Sequence, residues 1–150
     1  LSDASSDYTT SVGSESSIGS PASCYSYKAF VSPVDEIGLS AAIGIDQSCF
    51  LNEDWNNDAF FSIFQEMSYD YSLTGFDFGA MFSIYNSEDG SYTSSYVTQP
   101  GASDFTITDV QNVVPSFGYP YVIIKGTFNC KLDDGSTITN GSFRVLCEKS

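Results

Sequence analysis

The stretch "YVIIKGTFNCKLDDGSTITNGSFRVLCEK", residues 121–149, decides the architecture. Its first part, 121–132, is rich in β-branched and aromatic residues and reads as the strongest strand in the chain. "DDGS" (133–136) carries an Asp-Gly pair, the residues a tight hairpin turn needs. Residues 137–149 return as a second strand, bulged at Asn140-Gly141. With Asp134-Gly135 as the tip, Cys147 falls opposite residue 122. Cys130 and Cys147 are then not directly opposed, and they pair only if the loop is broad, over "DDGSTITNG".

The same alternation of strand and turn extends back through the chain. "DFTITDVQNVV" (104–114) is a strand, followed by a loop at "PSFGYP" (115–120). "TGFDFGAMFSIYN" (74–86) alternates, with Phe76, Phe78, Ala80, Phe82 and Ile84 on one face. "SEDG" (87–90) turns it into "SYTSSYVTQ" (91–99), and "PGAS" (100–103) turns again. "FFSIFQEMSYDYSL" (60–73) fits a helical stripe of Phe60, Phe61, Phe64 and Met67 or a strand face of Ile63, Gln65, Met67 and Tyr69; its β-branched and aromatic content favours a strand. "LNEDWNNDAF" (51–60) reads as a polar loop. "CYSYKAFV" (24–31) and "LSAAIGID" (39–46) are strands about a turn at "SPVDEIG" (32–38). About eight strands therefore follow one another with no helix, which predicts an all-β antiparallel sandwich or barrel. Residues 24–150 form a single β-domain, and 1–23 a Ser-rich N-terminal arm.

Composition narrows the function classes. A chain of 150 residues holds one domain with a real core, much of it aromatic: 12 Phe, 10 Tyr and 1 Trp. Nineteen acidic residues face five basic ones, a net charge of −14. That balance predicts no nucleic-acid partner and no anionic membrane surface, since both need Lys/Arg patches. No run of about eighteen apolar residues is present, so no membrane insertion is expected. The four cysteines Cys24, Cys49, Cys130 and Cys147 form no CxxC, and there is no histidine for a zinc site. Their even number points to disulfides and a secreted, extracellular or cell-surface setting. The start at Leu1 reads as a mature chain whose signal peptide has gone, and the absence of Cys at position 1 as the lack of a bacterial lipid anchor. Cys24 and Cys49 are opposed if their hairpin turns between Glu36 and Ile37, inside the predicted turn. The expected pairings are Cys24–Cys49 with Cys130–Cys147, or a bridge from first to last strand, Cys24–Cys147.

Thr106, Ile107, Thr108 and Asp109, then Gly126, Thr127 and Phe128, then Thr139, Asn140, Gly141, Ser142 and Phe143 carry a further signal. Over residues 104–145 this pattern resembles a group of small secreted or lipid-anchored β-proteins of Bacteroidetes-type bacteria. The resemblance implies a bacterial cell-surface β-domain and brings no activity with it.

Several residues are candidate site groups. Asn52, Asp54, Asn56 and Asp58 alternate in "NEDWNND", and oxygen ligands at every second residue suggest calcium, with Asp54, Asn56 and Asp58 as the metal set. The loop lacks a calcium loop's glycine and its closing Glu, so a solvated acidic loop is the competing reading. Trp55, with Tyr69 and Tyr71, would stack on a carbohydrate ring; the competing reading is a tryptophan covering a β-core. Asn140-Gly141-Ser142 is a glycosylation sequon, though Asn-Gly is first a turn signal. No histidine, nucleophile motif or distinguished carboxylate pair marks an enzyme. In the arm, Tyr8, Thr10 and Val12 alternate, and Ile18 adds a further apolar anchor. Such a segment suits strand addition to a neighbouring copy or to its own sheet. The leading expectation is therefore an extracellular structural protein that self-assembles into a filament or surface layer. The alternative is a monomeric carbohydrate- or small-ligand-binding domain.

Overall fold

The computed structural model describes residues 12–17, 22–31, 39–72, 78–95, 99 and 103–149, the side chains of 12–17, 30 and 31 excepted. Among the described residues eight strands form two antiparallel sheets. The first, in order β1-β2-β3-β4-β5, contains β1 (Val12–Ser17), β2 (Ala22–Val31), β3 (Leu39–Leu51), β4 (Gly79–Asn86) and β5 (Tyr92–Ser94). The second, in order β6-β7-β8, contains β6 (Asp104–Val113), β7 (Tyr121–Lys131) and β8 (Thr137–Glu148). The sheets remain separate, so this is an open sandwich and not a closed barrel.

Period-two alternation builds the core. On β7, Val122, Ile124, Phe128 and Cys130 point inward, and Phe143, Val145 and Cys147 do the same on β8. They meet Tyr27 and Ala29 of β2, Ile43 and Ile45 of β3, and Ala80 and Phe82 of β4. Phe82 and Phe128 stand 4.7 Å apart across the sheets, and Phe105 stacks on Phe143 at 5.1 Å. Large rings face small alanines, which lets the two layers interdigitate.

The final hairpin follows its sequence reading closely. Val122 lies opposite Cys147, and the register shifts between Phe128 and Cys130. The extra residue sits on β8 at Asn140, whose φ of 54° is a left-handed conformation that Asn tolerates. The motif glycines have a steric reason. Gly126 lies opposite Phe143 and Gly141 opposite Phe128. A Cβ on Gly126 would meet the Phe143 ring at 2.5 Å, and one on Gly141 the Phe128 ring at 2.6 Å. Each ring lies over the glycine of the facing strand, so the pair of "GxF" segments is reciprocal.

The 51–73 region differs from expectation. The strand predicted over 39–46 continues to Leu51, and a 3-10 turn (Asn52–Asp54) and helix α1 (Asn57–Ser62) replace the polar loop. The strand predicted over 60–73 gives way at its start to α1, which ends at Ser62; of the alternative helical stripe, Phe60 and Phe64 are buried, Phe61 is half-buried, and Met67 is exposed beyond the helix. Asn56 caps α1, its Oδ1 accepting from Ala59 N at 2.9 Å. Phe60, Ile63 and Phe64 are buried, with Phe60 and Phe64 edge-on to Tyr27 at 5.2 and 5.8 Å. A capping Asn and apolar spacing of three and four outweigh the β-propensity of the phenylalanines. Two short stretches pair like strands: at 67–69, Tyr69 N donates to Phe105 O and Ile107 N to Met67 O, covering the outer edge of β6, and at 70–72, Ala80 N donates to Asp70 O and Ser72 N to Ala80 O, parallel to β4. In the segment 74–86 the strand starts at Gly79; Phe76 lies outside the described residues and Phe78 is exposed. The described residues of 91–99 include β5 and a bridge from Ser95 to Leu132.

Candidate functional site: the β1–β2 edge

The N-terminal arm supplies the outermost strand of the larger sheet. Val12–Ser17 runs antiparallel to β2, from Val12 opposite Lys28 to Ser17 opposite Ser23. Among the described residues β1 has β2 as its only strand partner, and an outer strand of this kind presents backbone groups to an added strand. Of the predicted arm anchors, Val12 lies on β1, whereas Tyr8, Thr10 and Ile18 lie outside the described residues. The described part of the arm pairs in cis.

Beneath β1, the β2–β3 ladder is broken and stapled. Its register shifts between Tyr25 and Tyr27, where β3 carries an extra residue. Gln47 takes a φ of 55°, and its N–H donates to Ser26 Oγ at 3.3 Å. Beyond this bulge four pairs remain, Tyr25–Ser48 to Ala22–Leu51. Among them Cys24 and Cys49 are directly opposed and disulfide-bonded, as their spacing predicts, with Cα atoms 4.0 Å apart. Their turn at 32–38 lies outside the described residues.

Cys130 and Cys147 correct the disulfide expectation: both are buried thiols and neither forms a disulfide. Cys130 lies opposite Ile138 and Cys147 opposite Val122, so the hairpin register keeps them apart. This also excludes the Cys24–Cys147 bridge. Burial pushes the Cys130 thiol up from 9.0 to about 11, against the Tyr71 hydroxyl, which acts in the opposite direction. Burial also raises the Tyr71 phenol well above 10.0. For an acid whose folded pKa is raised, the unfolded chain loses its proton first. The extra stability is complete below pH 9 and disappears as pH rises through about 11. The native protein is expected to leave Cys130 unmodified by a disulfide-exchange reagent at about pH 8, with modification following unfolding. The urea midpoint should fall between pH 9 and 11, less steeply in Cys130→Ala. Rapid modification of Cys130 in the native state would contradict this placement.

The candidate ligand residues are not assembled into a site. Trp55 stacks on Tyr25, ring centroids 3.8 Å apart and planes 9° from parallel, and Lys149 Nζ lies over the ring at 5.6 Å. Phe50 also lies tilted against the ring at 5.4 Å, so the indole is packed among Tyr25, Phe50 and the Lys149 ammonium. Tyr69 and Tyr71 are buried, and their hydroxyls donate to backbone: Tyr69 to Ile63 O, Tyr71 to Asp104 O and Asn129 O. These are core tyrosines with satisfied polar ends.

Asp54, Asn56 and Asp58 are exposed. Asn56 Oδ1 is occupied in capping, and Asp58 lies in the first turn of α1, where a carboxylate favours the helix dipole. Helix initiation thus accounts for Asn56 and Asp58, while Asn52 and Asp54 lie in the preceding 3-10 turn. Asn56→Ala should cost about 1 kcal/mol by urea denaturation, with no dependence on calcium. Among the described residues no group of three or more Asp, Glu, Cys or His side chains is placed to hold a metal. One carboxylate escapes sequence reading: Asp46 is fully buried, with Oδ2 accepting from Ser72 Oγ at 3.1 Å and Oδ1 unpartnered among the described residues. Nothing in its alternation with Ile45 signals this. Asn140 of the sequon is exposed in its bulge, its N–H donating to Asn129 Oδ1.

Fold and edge together define an all-β, disulfide-stapled sandwich with a one-sided terminal strand. Among the described residues no helix is long and apolar enough to cross a membrane. No protein-family model, curated protein or solved structure matches the chain.

Proposed function

We propose that this chain is an extracellular structural subunit whose copies join head to tail through the N-terminal strand into a fibre or surface layer. The observation that carries the reading is the place of β1, the first described strand in the chain and the outermost in its sheet. Such a strand can leave without any other strand having to separate. A neighbour's β1 would then make the same backbone pairs to the vacated β2, so the exchange conserves hydrogen bonds. Exchange that does not close into a ring gives a filament. The disulfide is compatible with an oxidising, extracellular setting, and the C-terminal strand pattern supports a bacterial surface protein. With a net charge of −14, association should strengthen as salt or divalent cations screen the copies from one another.

Opposed positions 12 and 28 give a direct test. A Val12→Cys chain is mixed with a Lys28→Cys chain under mild oxidation. Strand addition in trans gives a crosslinked heterodimer, since neither chain can form that crosslink within itself. A chain carrying both substitutions reports pairing in cis. If the mixture yields no crosslinked pair at any protein concentration or salt while the double variant closes on itself, the reading fails.

A further inference from the structure

We propose that the Cys24–Cys49 disulfide keeps β2 in place as the acceptor edge for the β1 of a second copy. This rests on the strand-addition reading above. β1 contacts β2 from Lys28 to Ser23, on both sides of the Tyr25–Tyr27 register shift. While β1 is in place, the N-terminal part of β2 is held from both flanks. Once β1 leaves, Ala22–Tyr25 is held within the sheet only by the four pairs beyond the bulge. Short ladders next to an interruption fray readily, and a frayed edge cannot template an incoming strand.

The disulfide lies among those four pairs. It joins the residue opposite Ser16 of β1 to the directly facing residue of β3. It therefore fixes the half of the acceptor edge that the bulge isolates. Lys28 and Tyr27 need no such link, because β2 pairs with β3 continuously from Tyr27–Ile45 to Val31–Ala41. The donor role differs. β1 carries no cysteine, and a copy lacking the disulfide keeps its whole donor strand. The proposal thus predicts an asymmetry: losing the staple weakens the chain that accepts and not the chain that donates.

The mixing experiment with full-length chains reads this asymmetry. Cys24→Ser/Cys49→Ser is introduced into the Lys28→Cys chain in one mixture and into the Val12→Cys chain in another. Removing the staple from the acceptor should lower the initial crosslinking rate about ten-fold, and removing it from the donor, whose own β2 then holds β1 less firmly, should leave the rate unchanged or raise it. Equal rates in the two mixtures overturn the proposal and leave strand addition standing. No heterodimer even with both staples intact overturns strand addition, and the proposal with it. If the serine pair does not fold, as judged by its circular dichroism, Cys24→Val/Cys49→Val keeps an opposed apolar pair and takes its place with the same expected asymmetry.

Discussion

Gly126→Ala should destabilise the domain by about 3 kcal/mol. A Cβ at position 126 would run into the Thr106 carbonyl oxygen and, at 2.5 Å, into Phe143 Cζ. The first obstacle is backbone in the neighbouring strand and cannot rotate away. The second is a ring locked between Phe105 and Phe128. Either β6 shifts from β7 or the Phe143 ring is expelled from the core. Gly90→Ala is the matched control: its Cβ meets nothing within 4 Å, and only its φ of +72° opposes the change. That substitution should cost about 1 kcal/mol. Urea denaturation of both variants gives the comparison, and equal losses would refute the steric account.

Replacing both bridged cysteines by serine should cost about 3 kcal/mol. The bridge spans a sequence separation of 25, and closing a loop of that size restricts the unfolded chain by about that much in the chain-entropy model. The loss should leave a folded protein at moderate temperature, since a domain of this size usually holds roughly 5–15 kcal/mol. A reduced wild-type protein should show the same denaturation midpoint as the serine variant. A variant within about 0.5 kcal/mol of wild type would mean that the unfolded chain keeps these two strands together unaided.

The reach of sequence reasoning follows local chemistry. The hairpins were legible where turn residues declare themselves: Asp134-Gly135 placed Val122 against Cys147, and Asn140-Gly141 announced a bulge. The Cys24–Cys49 bridge was legible from spacing about one turn. The bulge at Gln47 was not, because glutamine carries no signal for a left-handed φ, and Asp46 beside it gave no sign of burial. The short helix was missed because β-branched and aromatic content outweighed a capping asparagine in the reading. In the structure, Asn56 satisfies Ala59 N–H and the Phe60–Phe64 spacing buries both rings. The Cys130–Cys147 pairing required a broad loop over "DDGSTITNG"; the tight Asp134-Gly135 turn, which sets Cys147 opposite Val122 and Cys130 opposite Ile138, keeps the two cysteines apart. Trp55 carries two meanings, ligand platform and core cover, and its packing against Tyr25 and Lys149 could not be read from sequence.

The reciprocal Phe–Gly pairs on β7 and β8 also work as an alignment check. If β8 slid by two residues, every side chain would keep its face and the hydrophobic pattern would be unchanged. In one direction, however, Phe128 would come opposite Phe143, so that two rings would compete for the space of one, while Gly126 and Gly141 would face side chains other than the rings that now cover them. A shift that burial alone would tolerate is rejected by volume. The last hairpin thus carries, in its own residues, a volume barrier to that slip.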